Sequence, residues 1–497
     1  MALGAAGAVV AGHPLAAAAG QAALAAGGSA VDACLSAAFT AWVCMPDMCG
    51  LGGDLFLLHR AADGAALAIT GSGPSAASFG PGAAGRREAL TTVPGAPGAL
   101  LAIEAAGLCR LPRAALLAPA IGAAQRGVVI GPMLARKIAA LPPGPFRTAL
   151  LAGWGGEAAA DGSVLRWPAL AATLVRLAEG ADPRACLQDA LGEWRAGGVL
   201  LQPDDLEACS IAAEAPLRTA IAGWTLLGQT PPSAAAGLLG AALRAGADAL
   251  LEPAGGYKAH MLAEATKAAL GLLDGMGHAG DTAGTVRALL DAGAARAARE
   301  RIGPMAAEGP DLSRNYGETT QCAAVDAAGN ACTLIHSLYR PFGARVLSPS
   351  TGLLANDRGG SFTSGANAPA PAARPRHTLV GLIAEAPDGT VHALGTPGAL
   401  AQTQTVLQVL AALMAAPGQP EAAVLAPRWS AIGGFGLAVE SSMPEEVQRD
   451  LARRGHQLAL RPPRDWLMGS LGLAFASPDG RRGAVADDRR NALALPL

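Results

Sequence analysis

Apolar positions at the start of the chain fall into two Ala-rich blocks with helical punctuation. PLAAAAGQAALAA, from Pro14, is closed by Gly27 and Gly28, which suit a left-handed C-terminal cap. Ser29 and Asp32 form the capping box of a second helix that runs to about Cys44 and stops at Pro46. The pattern then changes: CGLGGDLFLLHR feeds a glycine cluster into an apolar strand, and DGAALAIT reads as its return strand. From about Pro94 to Arg296 the spacing is mostly helical, broken by turns such as LPPGPF and GQTPPSAAAG. After Thr319 short strands and turns take over, joined by a helix from about Leu400 to Met414 and a charged amphipathic one from Pro444 to Arg454. Strand pairs and helices in both halves predict a layered α/β or α+β unit.

One stretch, NYGETTQCAAVDAAGNACTLIHSLY (Asn315 to Tyr339), carries candidate chemistry. Thr319 to Val325 and Ala331 to Tyr339 have strand composition, and DAAGN between them has turn chemistry. A turn centred near Ala328 sets Ser337 opposite Thr319, hydroxyl facing hydroxyl, with Cβ atoms about 4.5 to 5.5 Å apart. A threonine hydroxyl is a poor nucleophile unless a base takes its proton, and its own α-amine, with a pKa near about 7.7 to 8.0, is a suitable base. That arrangement needs a chain cut between Glu318 and Thr319. The hairpin pattern alone fits an ordinary polar edge equally well.

Composition narrows the partners. The 497 residues, 51% apolar and 15% charged, describe a large folded core rather than a disordered chain. At roughly 100 to 200 residues per domain the length allows several domains or one large layered unit. A net charge of −2 gives no reason to expect nucleic acid or an anionic membrane as partner, which favours a small-molecule substrate. Apolar runs such as Ala37 to Met45 fall short of the roughly 20 residues that span a bilayer. Met1 leads into the chain without a basic region typical of a signal peptide, so a cytoplasmic location is expected, or a periplasmic one if a leader has been trimmed. The eight cysteines show no CxxC pair and no histidine at metal-ligand spacing, so neither metal nor cofactor is expected, and buried reduced thiols are.

Extended similarity adds to this reading. HPLAAAAGQAALAAGGSAVDACLSAAF followed by CGLGGDLFLL resembles the opening of the γ-glutamyltransferase family. VPGAPGAL, LAPAIGAAQRG, LQPDDLEA and the PPSAAAG region are similar to later landmarks of that family. TTQCAAVDAAGNA resembles its TTH-(F/Y)-S-V-V-D-x-x-G-N-A, and STGLLANDRGGSF, RPRHTLV, GTPGAL, APRW and VADDRR follow in order, more loosely. The resemblance implies an N-terminal-nucleophile (Ntn) hydrolase with a four-layer αββα sandwich, an α+β fold. It implies self-cleavage between Glu318 and Thr319, giving a large subunit of residues 1–318 and a small catalytic one of 319–497. The two would remain one folded unit, and a dimer of such heterodimers is left open. By the same resemblance Thr319 is the nucleophile, Ser337 replaces a threonine that hydrogen-bonds it, and Gly398 and Ala399 replace a Gly-Gly pair whose backbone N–H groups hold the oxyanion.

The sequence departs from that family where a γ-glutamyl group is gripped. A family arginine aligns with Ser72, a Ser-Ser pair with His377 and Thr378, an asparagine with Tyr339 and an acidic residue with Ser361. Arg358, Arg376 and His377 could instead bind a carboxylate by charge-assisted hydrogen bonds. The expectation is a self-processing amidohydrolase or acyltransferase for a small carboxylate-bearing amide such as oxamate. The alternatives are a γ-glutamyl hydrolase or transferase acting on glutathione-like substrates, and a silent homologue that binds without cutting itself.

Overall fold

The computed structural model describes residues 1–497 except 81, 156–159, 278–283, 285, 287–291 and 313–316. Side chains along its central strands enter two different cores in turn, because a strand alternates faces residue by residue. In the strand Glu318–Asp326, Cys322 and Ala324 join a core packed by helices, while Ala323 and Val325 join one shared with Val391, Ala393 and Ala474. Gly381–Glu385 divides in the same way: Leu382 and Ala384 meet helices, and Ile383 faces the other sheet. Strands buried on both faces stack as helix, sheet, sheet and helix, the expected four layers.

One seven-stranded sheet runs in the order Ala2–Gly4, Arg482–Ala486, Gly472–Ala476, Val391–Gly395, Gly381–Glu385, Trp224–Gly228, Leu217–Ile221. The other, also of seven strands, runs Leu493–Pro496, Gly7–Ala11, Glu318–Asp326, Ala331–Tyr339, Asp54–Arg60, Ala66–Gly71, Ala213–Glu214. Segments from both sides of Thr319 thus build each sheet together. The helices Pro14–Ala25 and Ala30–Cys44 cover the second sheet, and every residue of Ala30–Cys44 is buried. Its capping box is present: Asp32 N–H donates to Ser29 Oγ at 3.1 Å and Ser29 N–H to Asp32 Oδ2 at 2.8 Å. Such caps contribute about 1 kcal/mol. Helices Ala235–Ala245, Gly256–Leu270 and Ala401–Ala415 pack on the other sheet.

The middle of the chain is less uniformly helical than its spacing predicts. Leu217–Ile221 and Trp224–Gly228 form a hairpin at the end of the first sheet, with Ile221 opposite Trp224 across a two-residue turn. Ala222 and Gly223 fill that turn at φ 48° and 80°. Tight hairpin turns of this kind normally announce themselves by Asn-Gly or Asp-Gly, and Ala at the first position hides the signal. All eight cysteines are free and seven are buried. Among the described residues, no helix is long and apolar enough to cross a membrane.

Candidate active site

The central hairpin has the expected register, with Thr320 opposite His336 and Val325 opposite Ala331. At its mouth the ladder slips, and Glu318 pairs with Tyr339, so that Ser337 and Leu338 together oppose Thr319. This is a β-bulge, a device that re-aims side chains. Ser337 Oγ accepts from Thr319 Oγ at 3.3 Å and from Tyr339 N–H at 2.9 Å, and donates to the Glu318 carbonyl oxygen at 2.6 Å. One hydroxyl therefore touches both Thr319 and the carbonyl that precedes it. Tyr339 adopts φ 76°, a conformation that costs a non-glycine residue about 1 to 2 kcal/mol. The CGLGGD loop backs this corner: a Cβ on Gly53 would lie 2.5 Å from the Ser337 carbonyl oxygen, so only glycine allows the approach.

Beside Thr319 lies a cavity of ≈ 100 Å³ walled by Tyr339, Arg358, Arg376, Thr378, Ala399 and Gln402. Ser361 lines it too, its Oγ donating to the Arg358 carbonyl at 2.8 Å. Arg358 Nε is paired with buried Asp54 at 2.6 Å, and its guanidinium lies 4.7 Å from the centroid of the Tyr339 ring. Among the described residues Arg358 Nη2 has no hydrogen-bond partner. Gln402 Oε1 accepts from Val380 N–H at 3.0 Å, while its buried Nε2 is also unpartnered. Arg376 Nη1 donates to the carbonyls of Leu273 and Met276. Burial pushes the Asp54 pKa up even though Arg358 and Ser72 pull it down. Burial likewise pushes Asp357 up to about 6 against Arg340 and Arg87. Both guanidiniums are close, Arg340 Nη1 at 3.2 Å and Arg87 Nε at 3.3 Å from Asp357 Oδ2, and burial still outweighs them.

The turn at Pro397 brings Gly398 and Ala399 to the start of helix Ala401–Ala415, at φ 126° and 50°. Neither N–H donates to a described partner, and Ala399 lies on the cavity wall. Free backbone donors beside a nucleophile are the kind of group that stabilises an oxyanion.

The family model for gamma-glutamyltranspeptidase matches residues 16–497. This chain belongs to the gamma-glutamyltranspeptidase family. It is 31% identical to the oxamate amidohydrolase proenzyme of Klebsiella pneumoniae, over 98% of each chain. It is 32% identical to the acylase ACY 1 proenzyme of a Pseudomonas strain, over 96% of this chain and 91% of that one. Among solved structures, the cephalosporin acylase of Bacillus halodurans superposes with a TM-score of 0.88 at 27% identity, covering 100% of this chain and 96% of the other. The fold is that of the Ntn hydrolases, and the chain is an enzyme of that type.

Within this gamma-glutamyltranspeptidase frame two expected substrate contacts need correction. His377 is fully buried and does not line the cavity, and burial together with Arg358 and Arg374 holds its pKa well below the usual histidine range, which disfavours the charged ring. Its Nε2 lies 2.5 Å from Ser72 Oγ and its ring packs on Phe56, with centroids 5.0 Å apart. Ser72 is fully buried, facing this ring and Asp54, and does not line the cavity. Thr378, Tyr339, Ser361, Arg358 and Arg376 do reach the cavity. Sequence reasoning missed Gln402 and Asp54. Gln402 sits in a helix of ordinary composition, and Asp54 carries no signal beyond opening an apolar strand.

One cluster has metal-ligating types among the described residues: His260, Glu264 and His456. The two rings meet each other at 2.9 Å, His260 Nε2 meets the Gly303 carbonyl at 3.0 Å, and Lys267 Nζ donates to Glu264 Oε1 at 2.8 Å. The ammonium already compensates the carboxylate, and the group reads as a structural clasp.

Proposed function

We propose that this enzyme cuts its own chain before Thr319 and then acts as an amidohydrolase or acyltransferase on a small amide whose acyl group bears a carboxylate. The observation that carries the first half is Ser337 Oγ, which accepts from the Thr319 hydroxyl and donates to the Glu318 carbonyl. Its hydrogen bond draws electron density from that carbonyl and aims Thr319 Oγ at it. Thr319 Oγ adds to the Glu318 carbonyl carbon, the bond from that carbon to the Thr319 nitrogen breaks, and the Oγ proton ends on the departing nitrogen. Water then hydrolyses the ester, leaving a carboxylate on Glu318 and a free α-amine on Thr319. In the mature site the amine takes the Oγ proton as Oγ attacks the substrate carbonyl. Gly398 and Ala399 N–H groups receive the oxyanion, and the substrate's leaving amine departs with the proton. Water or an amine then accepts the acyl group.

The cavity supports this substrate class. Its side chains offer donors, two of them buried and unused, whereas the carboxylates of Asp54 and Asp357 are already engaged by arginines. That suits an acyl group rich in acceptors and offers little to an α-ammonium. Oxamate has this character, and the similarity to an oxamate amidohydrolase proenzyme supports it.

Intact masses of freshly purified protein under denaturing conditions test the first half. Wild type should give two fragments, the smaller starting at Thr319, and Thr319→Ala one uncut chain with no turnover. A single chain in both would make this a silent binding homologue. Ammonia release from oxamate without turnover of γ-glutamyl-p-nitroanilide is expected for the second half, and the opposite pattern would return the enzyme to γ-glutamyl chemistry.

A further inference from the structure

A second cavity adjoins Thr319, lined by Gly12, Asp47, Met133, Gln321 and Arg490 among others. At this side the Glu318 carboxylate meets two cations. Lys137 Nζ lies 2.8 Å from Glu318 Oε2 and 2.7 Å from Asp47 Oδ2, and Arg490 Nη1 lies 4.0 Å from the same Glu318 oxygen. All four side chains are largely withdrawn from water, none more than 13% exposed. Among the described residues Glu318 Oε2 and Arg490 Nη1 have no well-aligned hydrogen bond, so charge attraction dominates these contacts. Arg490 is otherwise held by its Nε donating to the Trp466 carbonyl at 3.1 Å, with its guanidinium 5.5 Å from the centroid of the Trp466 ring. Burial draws the Lys137 pKa down, but Asp47 and Glu318 more than offset it and leave it raised.

The two cations and Asp47 come from remote parts of the chain. Lys137 is on the helix Pro132–Ala139, Asp47 follows the helix Ala30–Cys44, and Arg490 lies beyond the strand Arg482–Ala486. They converge on the side chain of the residue whose carbonyl faces Thr319. Ser337 holds Glu318 at its carbonyl, and the cations hold it at its carboxylate. Fixing both ends limits rotation about the bonds between them, which restricts how the carbonyl can turn relative to Thr319.

We propose that Lys137 and Arg490, with Asp47 orienting Lys137, form a carboxylate-binding site beside the scissile bond, and that the Glu318 side chain is its built-in ligand. Occupancy of the site positions the Glu318 carbonyl for self-cleavage. The inference rests on the self-processing reading and adds a ligand class, a small carboxylate, that an outside molecule can supply.

Chemical rescue tests it. Precursor is made by cell-free synthesis and its cleavage followed by mass, for wild type, Glu318→Ala, and Glu318→Ala combined with Arg490→Met. Glu318→Ala should cleave on the order of tenfold more slowly, as expected when a reacting group loses its orientation. Sodium acetate, but not sodium chloride at equal ionic strength, should restore part of the rate, and the added Arg490→Met should abolish that rescue. A binding readout independent of cleavage uses uncut chains: acetate should raise the Tm of Thr319→Ala combined with Glu318→Ala, and leave that of Thr319→Ala unchanged. Wild type that never cleaves would overturn self-processing itself. Wild type that cleaves while Glu318→Ala matches its rate, or while acetate neither rescues cleavage nor raises the Tm, would overturn the carboxylate site alone.

Discussion

The two cavities that flank Thr319 balance their charges differently. Around the acyl cavity, Arg87, Arg340, Arg358 and Arg376 stand against Asp54 and Asp357, and burial wins over the arginines in setting both carboxylate pKa values. At the junction, Lys137 and Arg490 stand against Asp47 and Glu318; the carboxylates win over burial for Lys137, whereas burial wins for Arg490. One side carries an excess of positive charge, the other equal numbers of cations and carboxylates. Buried charge is costly unless it is compensated, so the side with the deficit is the one that gains from an outside anion. The matched side already has its anion, in the chain itself.

Ser337 belongs to both halves of the chemistry, and its removal should have the largest effect. Ser337→Ala deletes the donor to the Glu318 carbonyl and the acceptor for Thr319 Oγ. Self-cleavage should slow by about 10²- to 10³-fold, the usual cost of losing one preorganised donor to a reacting oxygen. A time course of precursor mass checks it, and Ser337→Thr should retain most of the rate. Unimpaired cleavage in Ser337→Ala would remove the link between hairpin geometry and reaction.

Asp357 probes the claim that burial dominates on the acyl side. Its folded pKa, about 6, lies above the unfolded value of 3.8. The folded chain therefore holds an extra proton in that interval, and the stability this contributes is complete below about pH 4 and lost as pH rises through 6. Asp357→Asn lacks the titration. Relative to the variant, wild type should lose up to about 3 kcal/mol of unfolding free energy between about pH 4 and 6.5, read from denaturant titrations at each pH. A flat or opposite difference would mean that Arg340 and Arg87 outweigh burial, and the contrast between the two cavities would collapse.

Local chemistry was legible in the chain, and long-range chemistry was not. The capping box at Ser29, the turn around Ala328 and the opposition of Thr319 and Ser337 depend on neighbours a few positions apart or on symmetric counting along a hairpin. The bulge that aims Ser337 is backed by Gly53 in the loop before the strand Asp54–Arg60, and no spacing within the hairpin announces that. His377 looked cationic beside Arg376. That charge is disfavoured by complete burial against Phe56 and Ser72, which are remote in sequence. Lys137, Asp47 and Arg490 are unremarkable surface types until the fold folds them around Glu318.

The finest test separates the cavities by a single donor. Arg358→Lys keeps a cation for Asp54 and so avoids stranding that buried carboxylate, but it removes the planar fork and with it Nη2. If Nη2 meets the substrate carboxylate, kcat/KM for a carboxylate-bearing amide should fall about tenfold or somewhat more, as for one lost charged hydrogen bond, mostly through KM. Self-cleavage should keep its wild-type rate, because the junction's anion is held by Lys137 and Arg490. Equal losses in both reactions would mean that Arg358 supports Thr319 through the shared wall of Tyr339 rather than the substrate. The two cavities would then act as one site, and charge balance would not distinguish the internal ligand from the external one.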